Sequence, residues 1–471
     1  MLFHSLEYFF LLVFGAFWFF VTPQRWRWAL LLAVSYLFYG SNQLEFIWLL
    51  WVSTLIDYGC GFALFTTENP RKRKALLACS VLTNLSLLGY FKYRAFVFEN
   101  MNWLFGNEAF LGGPAAQFVL PIGISFFTLQ SMGYTIDVYY RRAVPERHLG
   151  YFALYVAYFP QLIAGPIERG KRLLPQLKAE HFFDWTRIRL AGALIAVGLF
   201  KKLVIVGSLT PLMQGVFESE EAYSDLTVVL AVSLSLFYIY MDFSAYTDIA
   251  RGSARIFGVE LTENFRRPMG ATTIRDFWRR WHISLTRWIL DYLHRPFAGR
   301  SRNRIWRYFA TLVTFTVVGL WHGANYTFVL FGFCHGVLSV LETMCARAHL
   351  TWPKGPWWDR LRNFRTILLV NLTCVLFFSP SIDHALVIYA QLFSLTDAFS
   401  VTFKLSKWQF FIALLASLGW ICGRYWINRK YENGYSLPKS LYWRWATYLV
   451  SFLVIASLAA PDQNAFIYFR F

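Results

Sequence analysis

The feature that most constrains this chain is a succession of apolar runs near residues 3–21, 28–40, 44–65, 75–98, 118–138, 150–165, 190–213, 225–246, 308–341, 366–379, 408–427 and 441–460. About 20 apolar residues in a helix span the roughly 30 Å hydrocarbon core of a bilayer. Backbone in lipid must satisfy its own polar groups, so such runs read as helices. The chain therefore reads as an all-α, polytopic membrane protein. Some runs are too short, or too rich in Pro and Gly, to cross as regular helices, so roughly ten to thirteen spanning or partly inserted segments are expected. Composition agrees: 57% of residues are hydrophobic and only 15% are charged, against about 25% charged in a soluble domain.

The excess of 45 Lys and Arg over 27 Asp and Glu, a net +18, sits in short loops between the apolar runs. The positive-inside rule accounts for it there, so nucleic-acid binding is not expected. Arg25 and Arg27, then Arg71 to Lys74, then Arg141, Arg142 and Arg147 fall in alternate connections. The intervening 40–43 and 100–117 carry no Lys or Arg. The N-terminus and those connections are expected outside, and the basic loops in the cytoplasm. Met1 to Tyr8 lacks the basic start of a signal peptide, so the first span is expected to be retained. No repeat, low-complexity tract or long linker interrupts residues 1–471, which read as a single membrane domain; this weighs against a transporter built from duplicated halves. The six cysteines are scattered through apolar segments without CxxC or metal-ligand spacing, which predicts reduced thiols and no metal site.

The middle of the chain departs from this pattern. Arginines recur from Arg266 to Arg307, and Ile274, Phe277, Trp278, Trp281, Leu285, Trp288, Ile289 and Tyr292 follow three-and-four spacing, with Arg275, Arg279 and Arg287 on another face. The spacing predicts one amphipathic helix at the cytoplasmic interface. His282 falls on its apolar side, where a hydrogen-bonded structural histidine is the plain alternative to a catalytic one.

A second histidine is better placed. From 308 to 341 there is no Asp, Glu, Lys or Arg, and "GLWHGAN" from Gly319 interrupts the run. His322 lies about 22 Å along a helix from Arg307, short of the bilayer thickness. An ionisable side chain held there at a helix break reads as functional, against the alternative of a neutral histidine bonded to a neighbouring helix. Asp242 and Asp248 in "YMDFSAYTD" could serve a metal or a proton, but pairing of one with an arginine of the basic helix is expected. His335 is expected on the next helix as a packing or hydrogen-bonding residue. No GxSxG, Walker loop, GxGxxG or HExxH stands in a supporting context. Residue patterns alone leave enzyme and transporter both open.

Several motifs carry a resemblance: "LPIGISFFTLQSMGYTIDVYYRR" from Leu120, "YFPQLIAGPIERGKRLLPQL" from Tyr158, "YMDFSAYTDIARG" from Tyr240, "ENFRRP" from Glu263, "FWRRWHISLTRWILDYL" from Phe277, "GLWHGANYTFVLFGFCHG" from Gly319 and "FIYFRF" from Phe466. Together they resemble the membrane-bound O-acyltransferase family, in its bacterial alginate and peptidoglycan O-acetyltransferase-like branch. The resemblance implies a multi-helix core around a transmembrane tunnel, with interfacial amphipathic helices. It implies His322, in "WHGA", as the catalytic histidine and His282, in "WRRWHISL", as the second characteristic one. It also implies acetyl transfer from cytoplasmic acetyl-CoA, a substrate rather than a bound cofactor, to an extracytoplasmic polysaccharide across the bacterial inner membrane, through an SGNH-type partner protein.

Within that implication, Arg279 and Arg280 suit the phosphates of the donor, although lipid headgroups would satisfy them equally. D-alanyl transfer from a carrier protein to teichoic acid is the alternative inside the family, and a non-enzymatic transporter the alternative outside it. Ala245, Ala298 with Gly299, and Arg470 depart from the branch's usual residues, which bears on loop shape and partner docking more than on chemistry.

Overall fold

The structure is a computed structural model that describes residues 1–106, 120–219, 223–299, 301–350, 352–394, 415, 419, 440–459 and 466–467. Cys422, most of the run at 408–427, Arg300 and Arg470 lie outside the described residues. Within them the chain is helical and without strands. Among the described residues, seven helical stretches are long and apolar enough to cross a membrane: Gln24–Thr66, Pro70–Phe105, Trp185–Glu218, Asp225–Ile256, Tyr326–Arg347, Pro356–Phe378 and Leu441–Leu458, with Leu6–Val21 apolar but shorter.

The helices divide between two compact units, Met1–Ile188 with Ala250–Thr262, and Arg189–Ile249 with Glu263–Phe471. In the first lie α1 (Leu6–Val21), α2 (Gln24–Gln43), α3 (Ile47–Thr66), α4 (Pro70–Leu88), α5 (Arg94–Phe105), α6 (Ile124–Tyr139), α7 (Leu149–Ala157), α8 (Phe159–Leu162) and α9 (Gly170–Lys178). Local signals set the boundaries. Asn69 accepts hydrogen bonds from the Arg71 and Lys72 N–H groups ahead of Pro70 at the start of α4, and Gly106 ends α5 with a positive φ; both are standard capping devices. Phe10, Phe14 and Phe17 leave one face of α1 exposed, an apolar face of the kind that lipid covers. Inside this unit the Asp57 carboxylate is fully buried. It accepts from Asn84 Nδ2 at 2.8 Å, Thr135 Oγ1 at 3.1 Å, Ser80 and Ser131, which ties α3 to α4 and α6. Four donors satisfy a carboxylate that water cannot reach.

The rest of the chain supplies α10 (Trp185–Leu199), α11 (Gly207–Glu218), α12 (Asp225–Ile256), α13 (Ile274–Arg280), α14 (Ile283–Ile289), α15 (Arg295–Ala298), α16 (Arg304–His322), α17 (Tyr326–Arg347), α18 (Pro356–Phe378), α19 (Ile382–Ser394) and α20 (Leu441–Leu458). Helices α16 and α17 form a hairpin whose axes approach closely because Gly319 and Gly332 face each other. A Cβ built on Gly319 would meet the Phe328 carbonyl oxygen at 2.1 Å, and one on Gly332 the Phe315 oxygen at 2.2 Å. Small residues at such crossings are how membrane helices come into van der Waals contact.

Two expectations need correction here. The segment expected as one amphipathic helix is two, broken at Trp281 and His282. Its apolar residues Phe277, Trp278, Leu285, Trp288 and Ile289 are buried against protein rather than exposed. Asp242 and Asp248 pair not with an arginine but with lysines: Lys202 Nζ lies 2.7 Å from Asp242 and Lys201 Nζ 2.6 Å from Asp248. Consecutive residues of a regular helix point about 100° apart, but Phe200–Val206 forms a widened turn in which Lys201 and Lys202 both reach α12.

Candidate functional site

His282 occupies the break between α13 and α14. Its φ of +42° is left-handed, a conformation that costs roughly 1–2 kcal/mol for a residue with a Cβ and therefore needs outside support. The support comes from Asn264 in "ENFRRP": its carbonyl oxygen accepts from Ile283 N at 2.9 Å and its Oδ1 from Ser284 N at 3.1 Å. The Arg266 N–H also donates to the Arg280 carbonyl at 2.9 Å. His282 is fully buried, with the Phe243 ring 4.8 Å away edge-on. Burial pushes its imidazole pKa down to about 3, so the ring is neutral at physiological pH.

His322 is the last residue of α16, where Gly323 turns extended. Asn325 then caps α17, accepting from Thr327 N at 3.0 Å and donating to the Pro380 carbonyl at 2.8 Å. His322 is 3% exposed, set among the rings of Trp321, Phe377 and Phe331 at 5.0, 5.6 and 6.1 Å. The Trp321 ring also lies 6.1 Å from His282. One indole therefore bridges the two histidines expected at the site, and both sit where a helix stops.

His335 is on α17, as expected, with both ring nitrogens engaged. Trp278 Nε1, which can only donate, reaches its Nδ1 at 3.3 Å. Its Nε2 therefore carries the proton and donates to Thr373 Oγ1 at 3.0 Å, while Thr373 passes its own proton to the Val370 carbonyl. A ring so saturated holds α13, α17 and α18 together.

Beside these residues lies a cavity of about 380 Å³, within the size range of small-molecule sites. Arg275, Arg279, Arg307 and Arg347 line it together with apolar Leu285, Ile289, Phe315 and Val318. Val318 is one helical turn before His322 on α16. Of the two arginines expected to meet the donor, Arg279 lines the cavity. Arg280 does not; its Nε donates to Asp276 Oδ1 at 2.9 Å. Sequence reading missed Arg307 and Arg347 as partners of Arg279, because nothing in the order of residues shows that α13, α16 and α17 meet around one space. It also missed Asn264, although the motif that contains it was visible. Among the described residues no group of three or more His, Cys, Asp or Glu could hold a metal ion.

The profile of the membrane-bound O-acyltransferase family matches residues 35–379. The chain belongs to that family. As a membrane-bound O-acyltransferase it is similar to a probable alginate O-acetylase of Azotobacter vinelandii, 36% identical over 388 residues that cover 80% of this chain and 75% of the relative. It is also 31% identical to a peptidoglycan O-acetyltransferase of Helicobacter pylori, over 77% of this chain and 72% of that one. A teichoic acid D-alanyltransferase of Bacillus subtilis is more distant, 25% identical over 59% of this chain. The expected resemblance and the all-α, multi-pass membrane architecture are both borne out, and the chain is an O-acyltransferase.

Proposed function

We propose that this O-acyltransferase takes an acetyl group from acetyl-CoA at the cytoplasmic face of the bacterial inner membrane and delivers it towards an extracytoplasmic polysaccharide of the alginate, cellulose or peptidoglycan kind. An SGNH-type transferase completes the delivery, and the N-terminus faces outward. The observation that carries the reading is the pairing of a buried histidine with a cationic cavity that reaches to within one helical turn of it. Two acetyltransferases among the relatives support the acyl group and the class of acceptor.

In this reading Arg279, Arg275, Arg307 and Arg347 hold the donor's phosphates by charge-assisted hydrogen bonds. The apolar wall of Leu285, Phe315 and Val318 takes the thioester end. His322 acts as general base: it accepts the proton of the acceptor hydroxyl while that oxygen bonds to the thioester carbon. The C–S bond then breaks, and the departing thiolate takes the proton from the imidazolium. His282, neutral and fixed at a strained turn, orients the reacting groups.

The test is release of free CoA thiol from acetyl-CoA by purified protein in lipid nanodiscs, with acetyl appearing on the partner or polysaccharide. Release that depends on His322 supports the proposal. Use of a D-alanyl carrier thioester in place of acetyl-CoA would favour the teichoic acid alternative.

A further inference from the structure

We infer that Asn264 is a further member of the acyl-transfer site, donating a hydrogen bond from Nδ2 to the acyl oxygen of the substrate; this rests on the acetyl transfer proposed above. Asn264 is fully buried, and its two oxygens are committed to the start of α14, the main-chain oxygen to Ile283 N and Oδ1 to Ser284 N. The second bond settles the orientation of the amide, because a backbone N–H can only donate and so faces oxygen rather than nitrogen. Nδ2, with its two protons, is then the free end. It is buried and meets no acceptor among the described residues.

Buried polar nitrogens are nearly always bonded, so one left over on the residue that holds the turn at His282 points to a group that arrives with the substrate. The surroundings are apolar: Phe265 packs 5.0 Å from Trp281 and 5.1 Å from Phe243, whose ring borders His282. Acyl transfer creates the acceptor that Nδ2 lacks. As the hydroxyl oxygen bonds to the thioester carbon, the carbonyl π pair moves onto oxygen, and the hydroxyl proton goes to His322. The oxyanion collapses, the C–S bond breaks, and the thiolate takes the proton back. A fixed amide donor in a dry site stabilises that oxyanion more than the neutral carbonyl before it.

Asn264→Asp separates this role from simple capping. The carboxylate keeps an acceptor for Ser284 N and leaves the main-chain bond to Ile283 N untouched, at a helix start that favours negative charge, but loses the donor. Asn264→Ser is neutral and smaller and guards against misfolding from a buried charge. Both variants should insert and remain monodisperse in detergent, with turnover down about 100-fold and KM for acetyl-CoA little changed. Turnover per folded molecule within threefold of wild type in either variant would overturn the inference, whatever happens to yield. If the wild type itself releases no CoA thiol, both readings fall; if it turns over and Asn264→Asp matches it, only this one does.

Discussion

Replacing Gly319 by Ala changes no residue of the proposed site, yet it should disable the enzyme. The added Cβ would sit 2.1 Å from the Phe328 carbonyl oxygen, 2.9 Å from Gly332 N and 3.0 Å from Gly332 Cα, where ordinary contact begins at about 3.4 Å. All three are backbone atoms of α17 and cannot rotate away, so the two helices must part by about 1.3 Å at that level. His322 lies three residues further along α16 and moves with it. Misplacement of a reacting group by about 1 Å costs on the order of 100-fold in rate, while overpacking costs about 1–3 kcal/mol of stability. The assay is CoA thiol release, read beside melting in detergent. Gly192→Ala on α10 serves as the control, since nothing lies within 4 Å of its added Cβ, and it should leave turnover unchanged. Turnover within threefold of wild type in Gly319→Ala, at an unchanged melting temperature, would refute the claim that glycine contact between α16 and α17 sets the position of His322.

The remaining expectations concern chemistry, donor binding, pH and topology. His322→Gln and His322→Ala should abolish CoA release equally, because Gln keeps hydrogen bonding but cannot serve as a base; near-normal turnover in the Gln variant would remove His322 from the chemistry. Arg279→Ala should raise KM for acetyl-CoA more than it lowers kcat, whereas Arg280→Ala, which breaks the pair with Asp276, should leave KM alone; equal effects on KM would contradict the lining of the cavity. His282 binds its proton near pH 6.5 when unfolded but only near pH 3 when folded. Its contribution to stability is therefore complete above pH 6.5 and drains away as pH falls towards 3. The melting temperature of His282→Gln should fall less steeply with acid over that range, and an unchanged slope would count against a neutral buried ring. Cysteines introduced at Lys72 and Arg142 should resist an impermeant reagent in intact cells, and one at Gly106 should react; labelling at Lys72 would reverse the proposed orientation.

Much of this protein was legible before any coordinates. Runs of apolar residues longer than a bilayer requires leave helices as the permitted backbone, and the family motifs distinguish His322 and His282 from the other histidines. The interruption of the apolar run at "GLWHGAN" also located the end of a helix, because Gly323 and Asn325 are residues that stop one helix and cap the next. Periodicity misled at His282: the three-and-four pattern continues across the break, since both short helices bury an apolar face, and nothing local marks the left-handed turn. That turn is decided by Asn264, eighteen residues earlier in the chain, which supplies the acceptors that a continuous helix would have provided itself.

The same limit explains the lysines and the arginines. A sequence shows that Asp242 and Asp248 need positive partners in an apolar setting, but the choice of Lys202 and Lys201 follows from a widened turn that brings consecutive side chains to one side. The arginine-lined cavity exists only because α13, α16 and α17 converge around it, separating Arg279, which faces the space, from Arg280, which turns to Asp276. Composition and spacing act locally along the chain, so by themselves they determined the helices and the membrane as solvent, and the family motifs singled out two histidines as candidates. Which side chains share a site depends on contacts between segments remote in sequence, and those only the tertiary packing decided.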